Sequence, residues 1–113
     1  MQVIFESRDP EASQLRALAI RRVRFALRRL SWLVPRARIQ LTDVNGARGG
    51  IDKRCQVELM TDGIGPVVVT SMARHWHLAL QSALSRATAS LLRHWSRERG
   101  HRIRTPRAIG LGR

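Results

Sequence analysis

The sequence predicts an α+β domain of order β-α-β-β-β-α, two layers deep, in which a four-stranded sheet carries two helices packed on one face. Three observations lead there. Two long stretches repeat apolar residues every three or four positions, several shorter ones alternate or run β-branched, and Gly and Pro clusters punctuate them. With 113 residues, 43% of them hydrophobic, one such domain can build a core without disulfides or a metal.

Residues 2–7 read as a short strand, with Val3 and Phe5 alternating against Gln2, Ile4 and Glu6. Asp9-Pro10-Glu11 then opens a helix, since Asp9 can cap and Pro10 suits the first turn. Leu15, Leu18, Ala19, Val23, Ala26, Leu27 and Leu30 give that helix its apolar stripe over about 20 residues. It should end near Trp32, because Pro35 disfavours helical geometry at Val34.

From residue 36 to 44 the pattern becomes strict alternation, with Ala37, Ile39 and Leu41 facing inward. A glycine-rich connection over residues 45–50 leads to a second alternating strand carrying Cys55, Val57 and Leu59, so the two should pair as a hairpin. Asp62-Gly63-Ile64-Gly65-Pro66 is a turn, and the β-branched residues 67–72 form the fourth strand. The last helix is expected from near Ala73, with Trp76, Leu80, Ala83, Leu84, Ala87 and Leu91 on one side and Gly100 as its stop. Residues 1–99 thus constitute the domain. Residues 100–113 form a basic tail with Arg102, Arg104, Arg107, Arg113, Pro106, Gly110 and Gly112, expected to lack fixed structure until it meets a partner.

The charge is the strongest functional signal. Lys and Arg number 21 against 8 Asp and Glu, a net +13 that self-repels in the free protein and favours a polyanion. Lys53 is the only lysine, and a planar guanidinium suits bidentate phosphate contacts and stacking on bases. Between Ala12 and Pro35 there are six arginines and no acidic residue. At about 100° per residue, Arg21, Arg24 and Arg28 point away from the apolar stripe, while Arg22 and Arg29 lie along one of its edges. Arg86, Arg93 and Arg97 fall within about 20° of one line on the second helix. These eight arginines form two basic ridges on the helical layer and are the candidate RNA-binding residues.

Other side chains invite a plainer reading. Cys55 lies on the inward register of its strand, an inert buried thiol rather than a nucleophile, and a lone cysteine fits a reducing cytoplasm. His75 and His77, about 200° apart on a helix, do not make a metal site. Trp76 and Trp95 read as core and rim packing, with Trp32 undecided. Gly46, Gly49 and Gly50 match no phosphate loop, and no Ser/His/Asp or paired-carboxylate constellation assembles. The sequence therefore points to a binding protein rather than an enzyme, with no cofactor, metal or small-molecule substrate, no membrane segment, and a monomeric free state.

The element order, with Ala79-Leu80, Leu84-Ser85-Arg86, Leu91-Leu92-Arg93-His94 and Arg97 on a basic second helix, resembles the short form of the ribosome hibernation-promoting factor and ribosome-associated inhibitor (protein Y) family. The likeness covers about residues 1–99. Arg86, Arg93 and Arg97 stand where family members carry lysine or arginine, as does Arg22 in the first helix. Gly50-Ile51-Asp52-Lys53-Arg54-Cys55-Gln56-Val57 looks like the start of the third strand in short proteobacterial relatives. The resemblance implies binding to 16S ribosomal RNA in the small-subunit channel between head and body, where messenger and transfer RNA lie. Translation would be blocked by occupancy under stress or in stationary phase. The chain departs from the family in having Gln81 and Ser85 at two positions that are often acidic, and in lacking the long C-terminal dimerisation domain of long-form members. Three other readings compete: a general RNA- or DNA-binding module without a ribosomal address, a small enzyme built around the scattered histidines, and an interaction module that augments a partner sheet.

Overall fold

The computed structural model describes residues 1–44 and 51–110, with side chains as far as Arg97. The elements are β1 (Gln2–Ser7), α1 (Pro10–Ser13), α2 (Arg16–Ala26), β2 (Arg36–Asp43), β3 (Lys53–Met60), β4 (Val67–Ala73) and α3 (Trp76–Gly110). One sheet runs in the order β1-β2-β3-β4. The helical segment between β1 and β2 returns the chain to a parallel pairing, and the remaining neighbours are antiparallel. The α+β architecture read from the sequence is the one observed.

Period-two patterning sets which face of the sheet is buried. Phe5, Ile39, Val57 and Val69 are matched in register across all four strands, as are Val3, Ala37, Leu59 and Val67. These rows lie beneath the helices, where Ala37, Ile39, Val57 and Leu59 have no solvent exposure. α2 packs over β1, and α3 over β3 and β4. Ala19, Val23 and Leu27 from the first helical segment, and Trp76, Leu80, Ala83, Ala87 and Leu91 from α3, complete the core.

The first helical segment is not the continuous helix that apolar spacing alone suggests. Asp9 caps as expected, its Oδ1 accepting from the backbone N–H of Glu11 at 2.8 Å and of Ala12 at 3.2 Å. The chain then breaks at Gln14 and Leu15 and resumes as α2, which ends at Ala26 rather than near Trp32. Residues 27–33 wind more tightly, with Leu30 N–H bonding the Leu27 carbonyl at 2.8 Å and Leu33 N–H the Leu30 carbonyl at 2.9 Å. The reason lies in the spacing: Ala12 and Leu15, then Leu27, Leu30 and Leu33, are each three apart, which three residues per turn align on one side. Periodicity near three to four identifies the buried face without choosing between the two windings.

Two further boundaries differ. α3 starts at Trp76 because Ala73 is still paired with Lys53 in the sheet. At its other end the α3 backbone continues through Gly100 and Pro106 to Gly110, past the stop expected at Gly100. A lone glycine weakens a helix by only about 1 kcal/mol relative to alanine and does not end it. The side chains of that stretch, the tail arginines among them, lie outside the described residues, as do residues 111–113 and the glycine-rich connection 45–50. The β3–β4 turn follows its sequence signature, with Gly63 at φ 104° and Gly65 at φ 86° supplying the left-handed positions.

Candidate nucleic-acid interface

Both layers carry charge, and they treat it differently. On the open face of the sheet, Arg38 sits opposite Glu58 in register. It contacts the Glu6 carboxylate at 2.8 Å and that of Glu58 at 3.6 Å. The hydrogen bond to Glu6 is the main cause of a raised Arg38 pKa. At one end of the sheet Lys53 Nζ bridges Asp43 at 2.9 Å and the fully buried Asp52 at 3.5 Å. The Asp43 hydrogen bond dominates in raising the lysine above its ordinary value. Lys53 also lies 5.3 Å from the centre of the Trp76 ring, whose Nε1 donates to Glu11 at 2.8 Å. Neither the Asp52–Lys53 contact nor the burial of Asp52 was visible in the sequence, where an aspartate beside a glycine run reads as an exposed turn residue.

Among the described residues the helical layer has no such ion pair. All eight candidate arginines, Arg21, Arg22, Arg24, Arg28, Arg29, Arg86, Arg93 and Arg97, are exposed. Among the described residues none of them forms an ion pair with a carboxylate. Three are positioned by neutral acceptors. Arg24 donates to the Met1 carbonyl at 3.2 Å, which turns it toward the β1 edge. Arg28 donates to the Phe25 carbonyl at 2.8 Å and lays its guanidinium 4.2 Å from the centre of the Phe25 ring. Arg86 Nη1 donates to the Thr70 carbonyl and to Ser71 Oγ, both at 2.9 Å, while Ser82 Oγ reaches the same serine at 3.1 Å. This ties α3 to β4 and leaves the other guanidinium N–H groups of Arg86 free to donate.

The two ridges do not merge into one surface. Arg21 and Arg22 border a groove between α2 and α3, and Arg28 and Arg29 border its continuation near Trp32 and Trp95. Arg86 faces β4, on the side of α3 away from that groove, and helical geometry places Arg93 and Arg97 on the same edge. The candidate interface therefore consists of two basic margins flanking a central groove. Phe25, 68% exposed, and Leu92, 44% exposed, line that groove. Sequence reasoning passed over Phe25. The signal was present in its position between Arg24 and Ala26, about 160° from Val23 and Leu27 at the centre of the buried stripe.

The remaining candidates fall as follows. Trp76 is core and Trp95 is half-buried; Trp32, 63% exposed, meets Trp95 edge-on with ring centroids 6.0 Å apart. His75 and His77 are not opposed as expected. Their rings stack at 5.9 Å and 19° because His75 precedes the first residue of α3, so the helical angle does not apply to it. Among the described residues no group of three His, Cys, Asp or Glu is placed to hold a metal. Cys55 is buried, and desolvation pushes its thiol up to about 12. Among the described residues no helix is long and apolar enough to cross a membrane. No family model matches the chain, and the curated proteins yield no match.

Proposed function

We propose that the protein binds ribosomal RNA through its helical layer and acts as a hibernation factor, occupying the small-subunit decoding channel on 16S ribosomal RNA and blocking translation under stress or in stationary phase. The observation that carries the binding half of this reading is the division of charge. On the sheet, Arg38 and Lys53 are matched by carboxylates, whereas among the described residues the eight exposed arginines of the helical layer have none. Arginines held together without counter-charges repel one another, and a phosphate backbone converts that repulsion into attraction while releasing counterions. Two margins on a rigid two-helix face suit a concave wall of RNA, which is recognised by shape and phosphate position. The ribosomal address rests on the resemblance described above. Its setting would be the cytoplasm and its free form a monomer.

A second reading has its own support. Gln81 and Ser85 line the groove where acidic residues would discriminate among phosphate arrangements, and no carboxylate lines it, which suits a general RNA- or DNA-binding module. Co-sedimentation with 30S subunits and 70S ribosomes at two salt concentrations, with excess transfer RNA, separates the two. A hibernation factor stays bound stoichiometrically against the competitor. A general module is released by it.

A further inference from the structure

The groove between α2 and α3 has a volume of about 980 Å³, and Leu18, Phe25, Ala26, Leu84, Ala89 and Leu92 form its apolar lining. An open apolar surface in the middle of a strongly basic layer is not what phosphate binding alone requires. A duplex presents a surface of phosphates and sugars, and nothing in it fills an apolar cleft. An unpaired nucleotide does: its base is a flat, largely apolar plane with polar edges, and its phosphates lie within reach on either side.

We propose that this groove seats an unpaired nucleobase of single-stranded or looped RNA, stacked on Phe25 and packed against Leu92, with Arg21 and Arg22 on the flanking phosphates. The inference rests on the RNA-binding reading and adds to it the kind of RNA recognised. Three features of the groove support it. Phe25 is 68% exposed, and the Arg28 guanidinium 4.2 Å from its centre comes from outside the groove lining, so the ring is steadied without the groove being filled. Gln81, Ser85 and Thr88 on the α3 wall offer hydrogen-bond donors and acceptors suited to base edges. Basic margins also continue on both sides, at Arg28 and Arg29 beyond one end and at Arg86 across α3, matching a ligand charged at every residue better than a peptide with one acidic flank.

The test uses the full chain and a short single-stranded RNA carrying 2-aminopurine at its centre, the same strand with an abasic site there, and the corresponding duplex. Binding is expected to quench the 2-aminopurine emission. The abasic strand should bind roughly tenfold more weakly or worse, and Phe25→Ala should remove the quench and weaken single-strand binding by a similar factor. Duplex affinity should be unchanged in that variant. Because Phe25 is exposed, the variant keeps its fold, which circular dichroism verifies. Equal affinity for intact and abasic strands, or an undiminished quench in Phe25→Ala, overturns the groove assignment. If Arg21→Glu with Arg22→Glu still weakens binding to every RNA, the broader RNA-binding reading survives that result. No binding of the unaltered protein to strand, duplex or small subunit overturns the broader reading itself. Displacement of the strand by an amphipathic Glu/Leu peptide far more effectively than by polyglutamate would assign the groove to an acidic protein and also overturn the proposal.

Discussion

The sheet and the helical layer of this protein carry charge in opposite ways. On the sheet, Arg38 lies between Glu6 and Glu58, and Lys53 between Asp43 and Asp52. On the helical layer, eight exposed arginines have no carboxylate partner among the described residues. Matched charges are satisfied within the fold, and under the proposed function the unmatched ones are satisfied by phosphate. The comparison teaches that the net charge of +13 matters less than its distribution, because Arg38 is held by carboxylates on the sheet while, among the described residues, the arginines of the helical layer meet only neutral acceptors.

The most damaging way to break the comparison is to remove what joins the layers. Leu80 is fully buried between α3 and the sheet, so Leu80→Ala should lower unfolding free energy by about 2–5 kcal/mol, read by urea denaturation, and take RNA affinity down with it only where the fold is lost. Next in size is reversal of one margin. Arg86, Arg93 and Arg97 changed together to glutamate should reduce small-subunit affinity by roughly a hundredfold or more at low salt, while circular dichroism shows the fold retained and the urea midpoint falls modestly through loss of the Arg86 bonds to Thr70 and Ser71. Arg38→Gln should have the opposite profile. Small-subunit affinity stays within about twofold, because an exposed sheet pair has only a small energetic effect and faces away from the helices.

The smallest predicted effect concerns Cys55. Its thiol, raised to about 12 by burial, should react with a disulfide reagent at pH 8 only slowly while the protein is folded, and at once in denaturant. The sign for stability follows from the same shift. Below the ordinary value of 9.0 the thiol is neutral in both states and burial carries no electrostatic penalty. As pH rises from there toward 12, the unfolded chain ionises first and stability falls. Cys55→Ala should reduce that alkaline loss.

Much of the fold was legible because strands record their buried face every second residue. Ala37, Ile39 and Leu41 and their partners Leu59, Val57 and Cys55 could be assigned from alternation alone, and the structure pairs them in that register. Helix continuity was less legible. The three-residue spacing of Leu27, Leu30 and Leu33 satisfies a tight turn as well as a helix, and Gly100 suggests a stop although one glycine is insufficient to make one. The candidate arginines were legible as residues, since they follow from charge segregation and helical angle. Their division into two ridges was legible as well, but not that the α3 ridge faces β4, away from the groove, because that is set by the packing of α3 on β3 and β4. The exposure of Phe25 is legible from its angle to the Val23–Leu27 stripe, but that it lines a groove is not, because the groove exists only once α3 is placed beside α2.

The most direct test of the central claim is the dependence of small-subunit affinity on salt, measured for the unaltered protein, for Arg38→Gln, and for the variant with Arg86, Arg93 and Arg97 all changed to glutamine. If the helical layer carries the phosphate contacts, the logarithmic slope becomes shallower by roughly 0.7–0.9 for each arginine lost from the α3 margin and is unchanged by Arg38→Gln. Equal slopes for all three proteins, or a loss confined to Arg38→Gln, would contradict the assignment of RNA binding to the helices.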